Sequence, residues 1–200
     1  MEEIATPGVY IGPSRYLRWV LDLCIERNVD TREVLRHSPE TEVGVVAGIE
    51  WNTFLMVFAN LGQYFSATDL RLAGRSSWTH ASFRSEALAG RALGQPQLQF
   101  RSVCGEAGLL SRLFPIDLGL EDIARGHLRL SLTMRDALPP CTNFQTVLAG
   151  QLEGIPESLG ETTAEVTLLP TAAGATFEIW YEAGALPLAR LQKFLRSPLT

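Results

Sequence analysis

Three histidines, three cysteines and a run of glutamates are the side chains of this 200-residue chain that could support catalysis or hold a metal. Nucleophilic catalysis needs a nucleophile, a base and an orienting group brought together, and the chain has no G-x-S-x-G motif. His37, His80 and His127 are scattered, and none lies three or four residues from another, the spacing of a helical metal site. His37 falls near a helix end, where a cation is favoured; His80 follows Trp78 and reads as a cap or flank; His127 opens a strand beside a turn and reads as solvated. Cys24, Cys104 and Cys141 are odd in number, far apart and free of any C-x-x-C pair, so reduced thiols are expected, not disulfides or a zinc site. Glu153, Glu157 and Glu161 recur every fourth residue and read as the solvated side of a helix, since paired-carboxylate chemistry needs a second buried acid opposite. Gly105-Glu106-Ala107-Gly108 is a fragment of a phosphate loop without the following Lys-Ser/Thr, and reads as a close packing point between helices. Arg15 with Arg18, and Arg190, Lys193 and Arg196, suit helix faces and not a nucleic-acid groove. No enzyme, no metal and no nucleic-acid partner is expected.

The composition agrees with a soluble globular domain. It is 46% hydrophobic and 20% charged, with a net charge of −5 that favours neither phosphate backbones nor anionic lipid. No stretch approaches the roughly 18 apolar residues of a membrane-spanning helix. The acidic start, Met1-Glu2-Glu3, lacks the basic and apolar segments of a secretory signal, so a cytoplasmic location is expected.

The elements that must position any site change character halfway along. Leu17, Val20, Leu21 and Cys24 recur at helical spacing, and Asp30-Thr31 caps a short helix over 32–37. A linker over 40–48 precedes the apolar stripe of Trp51, Phe54, Leu55, Phe58 and Leu61. Ser66 caps the next helix, and two longer ones are predicted over 80–93 and 95–114, the second weakened by Gly105 and Gly108. Alternation then takes over in Ile116, Leu118 and Leu120 and in Leu128, Leu130 and Leu132, a hairpin across Ala124-Arg125-Gly126. An amphipathic helix is predicted over 142–159, followed by a second hairpin over 165–181 and a basic terminal helix over 187–195. The pattern predicts an α+β fold: a multi-helix N-terminal lobe on a small antiparallel or mixed four-stranded sheet, with a β-β-α-β-β C-terminal half. One sheet face should carry the 142–159 helix and the other the N-terminal helices. Residues 1–47 read as a helical extension and 48–200 as the principal domain.

Leu113-Phe114-Pro115, the strand Leu128-Arg129-Leu130-Ser131-Leu132, the Pro140-Cys141 step, the helix from Phe144 to Gly154 and the closing Leu159-Gly160-Glu161 together resemble the haem nitric-oxide-binding (H-NOX) fold. They are also similar to the vinyl-reductase-like ligand-binding domains, and the chain resembles the N-terminal input region of some bacterial sensor histidine kinases. The likeness covers about residues 48–182. It implies a helical lobe packed on a sheet with a ligand between them, and a signalling partner such as a histidine kinase. The chain also departs from the haem-binding pattern. The family's histidine is missing from the 95–114 helix, where Cys104 is the one soft ligand and lies about a turn out of place. The tyrosine-serine-arginine clamp for the haem propionates would fall near Leu132, Met134 and Asp136, where an acid would repel a propionate.

These readings converge on a non-catalytic sensory or regulatory domain without cofactor, which binds a small apolar ligand or a signalling partner. An apolar pocket between lobe and sheet would be lined by Trp78, Phe83, Phe100, Cys104, Phe114, Leu132 and Met134. Alternatives are a protein–protein or homodimerisation scaffold without a small ligand, and a haem gas sensor using Cys104 or His80.

Overall fold

The computed structural model describes residues 10–11, 15–36 and 49–183. In chain order it contains β1 (Tyr10–Ile11), α1 (Arg15–Glu26), α2 (Thr31–Val34), β2 (Ile49–Glu50), α3 (Trp51–Tyr64), α4 (Ala67–Ser76), α5 (Arg84–Leu93), α6 (Pro96–Cys104), α7 (Leu109–Leu113), β3 (Ile116–Ala124), β4 (His127–Met134), α8 (Thr142–Ser158), β5 (Glu165–Thr171) and β6 (Gly174–Trp180). Short 3₁₀ turns at 77–79 and 81–83 join α4 to α5. The linker over 40–48, His37 and the terminal helix over 187–195 lie outside the described residues.

Local signals explain most boundaries. Asp30 accepts from the Arg32 N–H and starts α2. Ser66 and Asp69 form a reciprocal capping box at α4, in which each side chain meets the other's backbone N–H. Pro96 opens α6, and Gly94, with φ +68°, ends α5 in the left-handed region that glycine adopts without strain. The single helix predicted over 95–114 is two. It breaks at Gly105, which leaves the helical region, and restarts after Gly108.

The larger sheet is antiparallel in the order β3-β4-β6-β5, and α8 makes the one crossover, from β4 to β5. Leu118 faces Leu132 across β3–β4, Leu130 faces Phe177 across β4–β6, and Val166 faces Ile179 across β5–β6. All six are buried. The alternate residues form a polar outer face, where Glu178 joins Arg129 at 2.6 Å and His127 at 2.7 Å, and His127 stacks on Trp180. Among the described residues, the helical packing therefore lies on one side of the sheet. The expectation of helices on both faces is corrected: period-two alternation in all four strands is the signature of a half-solvated antiparallel sheet.

Helix α8 is buried almost all round from Phe144 to Pro156 because the sheet covers one side and α4 the other. The α4 seam is made by glycines. A Cβ on Gly74 would collide with the Val147 carbonyl, one on Gly150 with the Arg71 carbonyl, and one on Gly154 with Arg75 and Trp78. Arg71–Glu153 at 2.6 Å and Arg75–Glu157 at 2.7 Å step along both helices by one turn, which shows the two running in the same direction. The glutamates at 153 and 157 are thus tied across the seam, which corrects their reading as a solvated face, and the Arg75 guanidinium holds the Glu157 carboxyl below its usual range. Helix α1 joins the same core through Tyr16, Trp19, Val20 and Cys24, so the described part of residues 1–47 shares one hydrophobic interior with the rest.

Three outcomes test this packing. Leu148→Ala, at a side chain 1% exposed, is expected to cost about 2–5 kcal/mol in urea unfolding, as large-to-small core changes do. Gly150→Ala is expected to cost about 3 kcal/mol, because its neighbours are backbone atoms of a packed helix. Gly119→Ala, whose Cβ would meet only Ser131 Cβ at an ordinary 4.0 Å, should stay within about 0.5 kcal/mol.

Candidate functional site

The junction between helices and sheet is closed by aromatic rings. Phe114, on the segment between α7 and β3, lies 5.0 Å from Tyr16 and 4.7 Å from Phe144, and Phe54 lies 5.2 Å from Phe144, all between ring centroids. Tyr16 in turn meets Phe83 at 4.9 Å in an edge-to-face contact. Below the rings a buried polar relay joins three elements. Tyr16 Oη donates to Gln151 Oε1 at 3.0 Å, Gln151 Nε2 donates to Ser77 Oγ at 3.2 Å, and Trp78 Nε1 donates to the Gln151 carbonyl at 2.7 Å. Each polar group is satisfied, so the relay fixes α1 and the 77–79 turn on α8 without an orphaned atom.

Of the residues named from the sequence, Trp78 and Phe83 come together. They line one narrow gap with Tyr16, Val103, Leu110 and Leu152, and its volume is about 10 Å³. Phe114 stands in the aromatic cluster above it. Phe100 packs 5.3 Å from Tyr181, and Leu132 and Met134 lie on the buried face of β4, paired with Leu118 and Ile116. Cys104 is fully buried at the end of α6, and burial pushes its thiol well above the ordinary range. None of these five lines the gap.

The histidines have structural partners. His80 accepts the Ser82 N–H on Nδ1 and meets Asp22 through Nε2 at 3.1 Å, so it caps the 81–83 turn and ties it to α1. His127 is held between Glu178 and Trp180, a partnered position and not the free solvated one expected. No group of three or more metal-ligating side chains occurs among the described residues.

Open clefts lie elsewhere among the described residues. The first, of about 390 Å³, runs between α5 and α6 and reaches the turn into α7; on its wall is Gln99, 1% exposed. The second, of about 510 Å³, is framed by α1, α4 and the end of α8, where Arg75 pairs with Glu157 and Arg91 Nε donates to the Ser158 carbonyl at 3.0 Å. The third, of about 490 Å³, lies where the β3–β4 turn meets Tyr181. Sequence reading missed Gln99. The signal was its place in the stripe Pro96, Gln99, Phe100, Val103, Cys104, where helical periodicity calls for an apolar residue.

No protein-family model matches the sequence, and no curated protein matches it. Solved structures do share the architecture. An oxygen-binding H-NOX domain related to soluble guanylate cyclases, in its oxygen complex, is similar at a TM-score of 0.55 and 13% identity, over 86% of this chain and 95% of that one. The Fe(II) unliganded H-NOX protein from K. algicida is similar at 0.54 and 13%, over 86% and 98%. A histidine-to-glycine variant of an H-NOX domain from Shewanella oneidensis, in the Fe(II)CO state, is similar at 0.54 and 11%, over 86% and 99%. The class of fold is therefore settled: this chain has the H-NOX-like α+β fold.

The fold raises the question of haem, and the residues present do not fit it. Helices α6 and α7 carry no histidine. Cys104, the soft ligand candidate on α6, is fully enclosed, and burial pushes its thiol up. A ligand pocket for a molecule of this kind needs roughly 300 Å³ or more, and the gap between lobe and sheet holds about 10 Å³. On the same grounds, Cys104→Trp has no cavity to fill. It is expected to lower stability by about 1–3 kcal/mol or more through overpacking, measured by denaturant unfolding, whereas a void at Cys104 would leave stability unchanged.

Proposed function

We propose that this chain is a haem-free, non-catalytic sensory or regulatory domain that acts in the cytosol and passes its state to a signalling partner such as a histidine kinase. The observation that carries the reading is the closed junction: where the resemblance places a ligand, Tyr16, Phe54, Phe83, Phe114 and Phe144 pack on one another. A domain built this way retains the architecture of a sensor while its interior does the work of a core, and its output must run through its surface. Among the described residues, His80 and His127 each serve a structural contact, which supports a non-enzymatic role.

An apolar ligand at the junction is the second reading, and the gap beside Trp78 and Phe83 is the observation that favours it. Such a ligand would enter by displacing those two rings, while Phe100, Cys104, Phe114, Leu132 and Met134 would form the surrounding wall. The protein–protein or homodimeric scaffold without a ligand differs from this second reading in needing no opening at all.

Titration with haemin separates these from a gas sensor. The purified protein is expected to be colourless and to develop no sharp Soret band on incubation with haemin. A stable stoichiometric complex with a sharp Soret band would overturn the haem-free reading.

A further inference from the structure

The cleft of about 510 Å³ framed by α1, α4, α5 and the end of α8 gathers cations over an apolar floor. Among its lining residues Leu23, Ala73, Trp78 and Gly154 are buried and supply that floor, and Leu72, 51% exposed, stands in the wall. Two arginines reach the cleft already fixed in place. Arg75 Nε donates to Glu157 Oε2 at 2.7 Å, and Arg91 Nε donates to the Ser158 carbonyl at 3.0 Å; all four residues line the cleft. The anchors are consecutive residues, which puts both guanidiniums at the last turn of α8. A guanidinium carries five N–H donors, and each of these bonds uses only the one on Nε. The Nη groups of both residues make no hydrogen bond among the described residues. Arg27, just past the end of α1, adds a third guanidinium. Asp69, outside the cleft, feels its charge but is held low mainly by its bonds to Ser66. Three guanidiniums thus share the cleft with two carboxylates, those of Glu26 and Glu157, an excess of one positive charge in a chain whose net charge is −5.

Charge and surface together define the occupant. A monoanion neutralises an excess of one positive charge, and the edge of a guanidinium matches the two oxygens of a carboxylate. The floor and Leu72 are covered only by an apolar body, which an inorganic anion lacks. We propose that this cleft binds a small amphipathic carboxylate, its head held by Arg75 and Arg91 with Arg27 at the rim, and its apolar body laid on Leu72 and the floor. Leu132, Met134 and Asp136, where the resemblance would put the haem clamp, do not line this cleft, so the site is not the propionate position. Arg75 belongs to α4 and Arg91 to α5, so a carboxylate shared between them joins the α4–α8 seam to α5. Occupancy would be an input for the regulatory role proposed above. That biological meaning rests on the regulatory reading, whereas binding itself does not.

Octanoate, octanamide and acetate test the assignment, because the amide removes the charge and acetate removes the apolar body. Titrations of the full chain, followed by the Nε–H signals of Arg75 and Arg91 and the methyl signals of Leu72, are expected to show saturable binding of octanoate. Octanamide and acetate should each bind at least about tenfold more weakly. The octanoate affinity should fall as salt is raised, since the cleft is open to solvent. Arg91→Gln, at an exposed position, should weaken octanoate by about tenfold, whereas Glu157→Gln, which removes a competing acid, should strengthen it by about threefold or more. A purely structural role for these two side chains would not move affinity in opposite directions. The comparison of three probes on the unaltered protein stands even if a variant folds poorly. Equal affinities for octanoate and octanamide, no saturable shift up to about 10 mM octanoate, shifts at Phe83 without any at Leu72, or weaker binding by Glu157→Gln would each overturn the proposal. The haemin titration reports on the interior junction, so the two readings fail separately.

Discussion

The contact of α4 with α8 is the constraint from which the rest of the arrangement follows. Gly74, Gly150 and Gly154 bring two backbones so close that no side chain can separate them, and the seam is reinforced at its edge by Arg71–Glu153 and Arg75–Glu157. Ion pairs this accessible contribute little energy, of order 0–1 kcal/mol each; their role is to select one register of the seam. The close approach places Trp78 where its indole reaches the Gln151 carbonyl, and it brings Ser77 to the Gln151 side chain. Once α8 is pinned on that side, its opposite side has only the sheet to bury against. The one-sided sheet is then a consequence, not a separate choice.

That geometry also decides what the interior can be. With α8 fixed between α4 and the sheet, the remaining space beneath α1 is filled by Tyr16, Phe83, Phe114 and Phe144 in edge-to-face and tilted contacts. Aromatic rings in these arrangements contribute about 0.5–1.5 kcal/mol per pair beyond their buried area. Opening a ligand-sized space there would forfeit several such contacts at once. An H-NOX-like fold can therefore persist with its junction turned into a core, because fold is a property of element packing and function a property of the site set within it.

Much of this was legible in the residues. The β3–β4 and β5–β6 hairpins announce themselves by strict alternation, α8 by its apolar periodicity, and α4 by the Ser66–Asp69 capping box. What was not legible has physical causes. Alternation says that one face of a strand is apolar but not where the helices lie, and the polar members Arg129, Ser131 and Glu178 carried the answer only in combination. Gly105 and Gly108 drew attention as a packing point, yet they serve a break in the chain. The packing glycines are Gly150 and Gly154, whose four-residue spacing places both on one helical face. The candidate pocket suffered from the same ambiguity, since buried aromatics fill a core and line a cavity with identical spacing.

Gln151 and Gln99, two of the buried glutamines, differ in how completely their polar ends are paired. Gln151 spends its carbonyl and its amide on Tyr16 and Ser77, and its relay is complete without any visitor. Gln99 spends only its amide, and the orphaned oxygen carries a desolvation cost of about 1–3 kcal/mol. A leucine at position 99 would suit the apolar stripe of α6 and avoid that cost. Burial and residue type are the same for both glutamines; the difference between them is which one still has an acceptor to offer.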